Sequence, residues 1–167
     1  IGSGVISSAI KPDKIDIDEA AETIDWMKRL NREAAMLAAQ HGVRAATDIT
    51  GFSLLGHGWE MASASGAGLR FDFEKVPLYP GVARLAAAWC FPGGGFDNAE
   101  FFGPHVKFAP AFSQDQQLLL FDPQTSGGLL FAVAPDQAAQ CERDAAAREI
   151  PLWRIGEVTS TGSIEVI

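Results

Sequence analysis

Segments with a helical period alternate with segments of a strand-like period along almost the whole chain, and this alternation most constrains the fold. Residues 18–42 repeat apolar side chains every three or four positions, whereas residues 68–76 alternate apolar with charged side chains. Helices long enough to serve as crossovers between strands favour a mixed sheet with helices packed against it. The sequence therefore predicts an α+β fold in a single domain, since 167 residues of 47% hydrophobic composition suffice for one core.

The other segments are assigned by the same criteria, with Lys11-Pro12-Asp13 as a turn and the Gly-rich stretch 91–98 as a loop. The first helix is predicted to restart at Asn31 and to close at Gly42, and the second to stop at Gly66. The last two strands are predicted to form a hairpin through Thr161-Gly162. The predicted strands are residues 4–10, 43–49, 68–76, 105–109, 129–134 (buried on both faces), 152–160 and 163–167, and the predicted helices are residues 18–42, 52–65, 80–90, 113–121 (capped by Ser113) and 135–149.

Composition excludes several classes of function. A net charge of −8 with scattered basic residues argues against a nucleic-acid partner. The apolar runs are much shorter than the roughly 20 residues that span a membrane, so we expect no membrane partner. No targeting segment is recognisable and no initiator Met is present, so we expect a piece of a longer chain. A cytoplasmic location is expected because the two cysteines indicate no disulfide framework. Cys90 and Cys141 lie far apart without metal-ligand spacing, and we expect two small buried side chains.

Asp48 is the first candidate for chemistry. It ends a predicted strand just before the start of a helix, where the positive end of the helix dipole favours an ionised carboxylate. A carboxylate at a strand end is the kind of hard oxygen ligand that Mg²⁺ uses when it bridges phosphates. From spacing alone, the simpler alternative is that Asp48 caps the turn through local backbone hydrogen bonds.

A second candidate is DPQTSGG, residues 122–128, which places two hydroxyls and two glycines directly before a predicted strand. The segment could cradle an anion if the glycines adopt positive φ and expose N–H groups. An ordinary turn remains the alternative, because the segment is not a Walker motif and no Lys follows it. The weak cofactor-binding candidates are Thr125, Ser126, Gly127 and Gly128.

Two further features have simpler explanations. His57 lies within a predicted helix with no second His or Cys nearby in sequence, so a hydrogen-bonding histidine is expected rather than a metal ligand. The PGGG stretch, residues 92–95, is most simply a mobile loop. No complete set of catalytic residues is recognisable.

Four stretches together resemble the C-terminal half of the selenophosphate synthetase family. They are GSGVISSAI (2–10), TDITGFSLLGH (47–57), FDPQTSGGLL (121–130) and IGEV (155–158). This family belongs to a wider ATP-using group that includes aminoimidazole ribonucleotide synthetase and thiamine-phosphate kinase. The resemblance implies an α/β C-terminal domain of that group, with an N-terminal domain that forms most of the nucleotide site and the homodimer. Another member of the group, or a non-catalytic binding module, is the alternative.

The resemblance also implies a reaction, in which ATP, selenide and water give selenophosphate, AMP and phosphate. Asp48 matches the family aspartate that helps to hold Mg²⁺ against the ATP phosphates, and the TSGG segment is expected near the cleft. The nucleophilic Cys or selenocysteine and the remaining metal ligands belong to the N-terminal half. Neither Cys90 nor Cys141 matches that nucleophile, so this chain alone is expected to be inactive.

Two positions depart from the family pattern. Ser53 stands where the family usually has Gly, which is expected to crowd a helix start slightly. Gly95 stands where a Thr or Ser is usual, which removes a hydroxyl from a predicted loop.

Overall fold

The computed structural model describes residues 1–10 and 14–167, so the turn predicted at 11–13 lies outside the described residues. The described chain has an α+β architecture, as predicted. Its strands are β1 Ala45–Asp48, β2 Gly68–Phe71, β3 Val106–Phe108, β4 Leu129–Ala132, β5 Gly156–Thr159 and β6 Ile164–Val166. Its helices are α1 Ser3–Ile10, α2 Ala21–Lys28, α3 Arg32–Gln40, α4 Ser53–Ala64, α5 Val82–Ala87, α6 Gly93–Phe102, α7 Gln114–Leu119 and α8 Pro135–Ala147, with short 3₁₀ turns at Phe73–Lys75 and Gly103–His105.

The strands form two sheets rather than the single mixed sheet that the sequence suggests. One is an antiparallel pair of β1 and β4, and the other has the order β3-β6-β2-β5. Strand β2 is antiparallel to β5 and parallel to β6, while β6 is parallel to β3. The predicted terminal hairpin is therefore wrong, because β2 lies between β5 and β6. Strand β4 is also less buried than predicted, since all four of its residues are only partly buried.

Two predicted element types are wrong. Residues 4–10 form helix α1 instead of a strand, and its Val5, Ile6 and Ala9 pack into a cluster with α5. Residues 93–98, predicted as part of a loop, open helix α6. Glycine weakens a helix by about 1 kcal/mol per residue relative to Ala, so tertiary contacts of α6 must outweigh the local preference.

Several local predictions are confirmed. The 18–42 segment is interrupted, and α3 starts again directly after Asn31. Gly42 and Gly66 end α3 and α4 with φ of 66° and 64°, the left-handed conformation that closes helices. Ser113 and Gln116 form a capping box at the start of α7. The 68–76 strand is shorter than predicted, because it ends at Phe71 and a 3₁₀ turn follows.

The main core lies between α4, α6 and the four-stranded sheet. Its buried residues include Leu54, Leu55, Phe71, Phe102 and Ile164. On α4 the buried apolar side chains are Leu54, Leu55 and Ala62, whereas Phe52, directly before the helix, is 49% exposed. No helix in the described ranges has the length and apolar character needed to cross a membrane.

Candidate functional site

Asp48 is the last residue of β1 and lies opposite Leu129 in β4. Its side chain is exposed to solvent. Within the part of the chain that the structure describes, the Asp48 carboxylate accepts no hydrogen bond; only its backbone oxygen does, from Thr47 Oγ1 at 3.3 Å. Among the described residues, this geometry therefore gives the turn-capping alternative no support, and cation binding by the Asp48 carboxylate stays a prediction.

The two motifs singled out in the sequence lie next to each other. The Ile49 N–H donates to the Gly128 oxygen at 2.9 Å, and the Gln124 N–H donates to the Thr50 oxygen at 3.0 Å. The pairing of β1 with β4 thus continues beyond Asp48 into the DPQTSGG segment. This brings TDITG and TSGG together at one end of the two-stranded sheet.

Gly127 is required by a close backbone approach and not by an unusual φ. A β-carbon at this position would collide with the carbonyl oxygen of Ile49. Neither Gly127 nor Gly128 has positive φ, so that part of the anion-cradle prediction is wrong. Ser126 instead adopts the left-handed conformation, with φ of 49°. Anion binding by the exposed Thr125 and Ser126 stays a prediction.

Side chains from neighbouring elements hold both motifs. Asn31 Nδ2, between α2 and α3, donates to the Gly127 oxygen at 2.9 Å. Asn98 Nδ2, in α6, donates to the Gly51 oxygen at 2.9 Å and to the Phe121 oxygen at 3.1 Å. The amide of Asn98 therefore ties α6 to the turn after Asp48 and to the residue before the DPQTSGG segment.

The structure gives a physical reason why Gly would be favoured over Ser at position 53. Ser53 is fully buried and has φ of 69°, a conformation that Gly adopts without penalty but that crowds the β-carbon of other residues. Gly95 lies in α6 and not in a loop. A β-carbon there would make only ordinary contacts, at 3.8 Å from the Phe121 oxygen and 3.9 Å from Pro123 Cδ.

Sequence reasoning missed a buried polar network between GSG, residues 2–4, and the DPQT residues 122–125. Gln124 Oε1 accepts from the N–H groups of Gly2 and Ser3, and Asp122 Oδ2 accepts from the Gly4 N–H at 2.9 Å. The Ser3 hydroxyl donates to Gln124 Oε1 and accepts from the Thr125 N–H. These side chains cap the start of α1, which explains why residues 4–10 are helical.

Asp122 is the most perturbed carboxyl of this network. It is fully buried, and Oδ1 has no hydrogen-bond partner among the described residues. Burial raises the pKa of Asp122 from 3.8 to about 6, although hydrogen bonds from the Val5 backbone and from the Gln124 side chain oppose the shift. In the sequence, the only signal for this contact is that GSG and DPQT both occur in stretches with family resemblance. Because the two segments are far apart in the sequence, that signal does not show that they touch.

The other candidates take structural roles. Cys90 and Cys141 are both buried and free, as predicted. His57 forms hydrogen bonds with Thr50 and Glu60, as expected for a hydrogen-bonding helix histidine.

Among the described residues, no group of three or more His, Cys, Asp or Glu side chains could hold a metal ion. Asp48 thus offers one hard oxygen ligand, which fits Mg²⁺ only as part of a site completed by phosphates, water or other protein groups.

Comparison with known proteins places the chain in a family. Residues 1–167 match the model described as AIR synthase related protein, C-terminal domain. The chain therefore belongs to the AIR synthase related protein C-terminal domain family. A protein of Thermus thermophilus shares its fold, with a TM-score of 0.50 and 19% identity over 74% of this chain and 32% of that chain.

Curated relatives within this class are named selenide, water dikinase. The relative from Trichlorobacter lovleyi is 40% identical over 167 residues, covering 100% of this chain and 48% of that protein. The relative from Pelobacter propionicus is 46% identical over 140 residues, covering 84% of this chain and 40% of that protein. The chain spans about half the length of the curated relatives it matches. The resemblance to the selenophosphate synthetase family is thereby confirmed.

Proposed function

We propose that this chain is the C-terminal domain of a selenide, water dikinase, which converts ATP, selenide and water into selenophosphate, AMP and phosphate. The observation that carries the proposal is the meeting of TDITG and TSGG next to the exposed Asp48 carboxylate, which accepts no hydrogen bond from the described part of the chain. The relatives named selenide, water dikinase support the choice of reaction. In this proposal selenophosphate serves selenocysteine and selenouridine synthesis.

Asp48 is the metal-binding residue in this proposal. Its carboxylate would help to hold one or more Mg²⁺ ions against the ATP phosphates, with the other ligands supplied by the N-terminal domain. Bound there, Mg²⁺ would neutralise phosphate charge during phosphoryl transfer. The chain's own contribution is to present Asp48 at a fixed strand end, because β1 is paired with β4 up to that residue.

Thr125 and Ser126 are the proposed contacts for phosphate oxygens. Both are exposed, in the segment whose ends pair with Ile49 and Thr50 directly after Asp48. The Thr125 N–H donates to the Ser3 hydroxyl, so Thr125 would contact phosphate through its own hydroxyl. The N-terminal domain would supply the nucleophilic Cys or selenocysteine and the homodimer contacts. A cytoplasmic location is proposed with this activity, because ATP and reduced selenide are cytoplasmic substrates.

The test is an acceptor comparison with the full-length protein that contains this domain. Purified protein is incubated with MgATP and either selenide or thiamine monophosphate, and ³¹P NMR follows selenophosphate, AMP and ADP. We expect selenophosphate and AMP only when selenide is present. ADP formation that depends on thiamine monophosphate would assign the domain to a different member of the group, and the absence of any ATP cleavage would refute the proposal.

A further inference from the structure

His57 joins the two ends of the turn that follows Asp48. Its Nε2 atom lies 3.0 Å from Thr50 Oγ1 and 3.3 Å from the Phe52 backbone nitrogen. Its Nδ1 atom lies 3.2 Å from Glu60 Oε2, one turn further along α4. The His57 side chain is only 12% exposed, and its contact with Thr50 is partly buried, whereas its Glu60 partner is 52% exposed.

The contact with Phe52 fixes the role of each ring atom. A backbone N–H can only donate, so Nε2 of His57 is the acceptor and carries no proton. The Thr50 hydroxyl then donates to the same atom, and the proton of the neutral ring lies on Nδ1, facing Glu60. Glu60 therefore orients the ring so that Nε2 points at the turn. The Phe52 ring, with its centroid 5.3 Å from that of His57, packs against it.

The turn held in this way starts two residues after Asp48. The Thr50 carbonyl accepts hydrogen bonds from Ser53 and Gln124, so Thr50 is bound through both its hydroxyl and its carbonyl oxygen. The buried Ser53, with φ of 69°, follows directly. A strained residue persists only where its surroundings over-determine the backbone, and His57 supplies a side-chain acceptor at this point.

We propose that His57, oriented by Glu60, is a positioning residue that holds the 50–52 turn and thereby presets the Asp48 carboxylate for its cation. His57 touches neither Asp48 nor a phosphate in this arrangement, so it acts through the turn. The link to the cation rests on the proposed function, whereas the hold on the turn does not. Substitution of a residue that orients a metal ligand, without binding the metal itself, commonly lowers metal affinity about 10-fold or more.

The first experiment measures the turn itself in the full-length protein. Backbone amide exchange at Phe52 is followed by NMR in wild type, His57→Ala, His57→Gln and the control His105→Gln. His105 stacks on Trp59 of the same helix at a 4.1 Å centroid distance, so the control also removes an imidazole packed against α4. We expect about 10-fold faster exchange at Phe52 in H57A and near-wild-type exchange in H57Q and H105Q, because the Gln oxygen can replace Nε2 as acceptor.

The second experiment measures Mg²⁺ dependence of selenide-dependent AMP formation in the same proteins. We expect the half-saturating Mg²⁺ concentration to rise about 10-fold in H57A, with turnover at saturating Mg²⁺ within about 3-fold of wild type. H57Q should recover most of the loss. A general structural defect would instead lower turnover at all Mg²⁺ concentrations and would not be rescued by H57Q.

The outcomes separate the two proposals. If wild type cleaves no ATP with selenide, the proposed function fails, and Phe52 exchange still decides whether His57 holds the turn. Unchanged exchange in H57A would overturn the positioning role, and faster exchange with an unchanged Mg²⁺ requirement would overturn its link to Asp48. Should H57A fail to fold, Glu60→Ala serves instead, since the ring loses its orienting partner; unchanged Phe52 exchange in E60A would equally overturn the proposal.

Discussion

Gly127 lies so close to Ile49 that a β-carbon on the glycine would overlap the Ile49 carbonyl oxygen. This contact joins the TSGG segment to the residue that follows Asp48. The position of the Asp48 carboxylate relative to Thr125 and Ser126 therefore depends on the absence of a side chain at residue 127.

Gly127→Ala should destabilise the protein by about 2 kcal/mol, because the added methyl group must displace backbone in a paired segment. Gly128→Ala is the matched control, since nothing lies within 4 Å of its added β-carbon. The control should remain within about 0.5 kcal/mol of wild type. Urea unfolding of the three proteins measures both values, and equal stability of the two variants would contradict the close contact.

Asp48→Asn should reduce Mg²⁺-dependent ATP cleavage by the full-length protein at least about 100-fold, or roughly 3 kcal/mol, while the fold is retained. Asn preserves the size of the side chain but removes the negative charge that a cation requires. Turnover is measured across a Mg²⁺ titration, beside a thermal melt. Asp136→Asn, at an exposed aspartate on α8, is the control. Near-wild-type turnover of D48N at limiting Mg²⁺ would exclude Asp48 as a metal ligand.

Ser53→Gly should stabilise the protein by about 0.5 to 1 kcal/mol, since Gly adopts the φ of 69° at this position without a crowded β-carbon. The substitution loses one long hydrogen bond, from the Gly56 N–H to Ser53 Oγ at 3.4 Å. Ser53→Ala separates the two effects, because it loses the hydroxyl but keeps the β-carbon. S53A should be no more stable than wild type, and chemical denaturation that ranks S53A at or above S53G would contradict the strain.

Asp122 should make stability depend on pH between about 4 and 6. Burial raises its pKa from 3.8 to about 6 in the folded protein, so within this window the folded state binds more protons than the unfolded state. The stability contributed by protonated Asp122 is therefore present below about pH 4 and is lost as pH rises through about 6. The size of the loss is about 3 kcal/mol, at about 1.4 kcal/mol per pKa unit.

Asp122→Asn isolates this effect, because Asn cannot ionise and its oxygen can still accept from the Gly4 N–H. The wild type should lose stability relative to the variant as pH rises from about 4 to about 6, as measured by urea unfolding at each pH. Parallel stability curves for the two proteins would show that the Asp122 pKa is not raised.

Cys90 and Cys141 should react slowly with thiol reagents in the folded protein, since both side chains are buried and burial raises the pKa of the Cys141 thiol. Labelling should accelerate sharply in denaturant. Cys90→Ser and Cys141→Ser in the full-length protein should leave turnover within a few-fold of wild type. A loss of several orders of magnitude in either variant would mean that a thiol of this domain takes part in the reaction.

The sequence determined those elements whose local signals agree with one another. Helix α4 shows a helical period and ends at Gly66, and α7 has a capping box formed by Ser113 and Gln116. The motifs that contain Asp48 and Thr125 were also recognisable in the sequence. These features depend on residues only a few positions apart. They can therefore be recognised in the sequence before any tertiary contact is known.

Tertiary structure decided the elements whose backbone N–H and C=O groups form hydrogen bonds with side chains that are distant in the sequence. Residues 4–10 are helical because Gln124 and Asp122 cap the start of their helix, and the glycines of α6 are held in a helix anchored by Asn98. The strand order β3-β6-β2-β5 likewise reflects pairings that no local period encodes. Only the folded chain places Gly127 against Ile49, and so only the folded chain explains why residue 127 can carry no side chain.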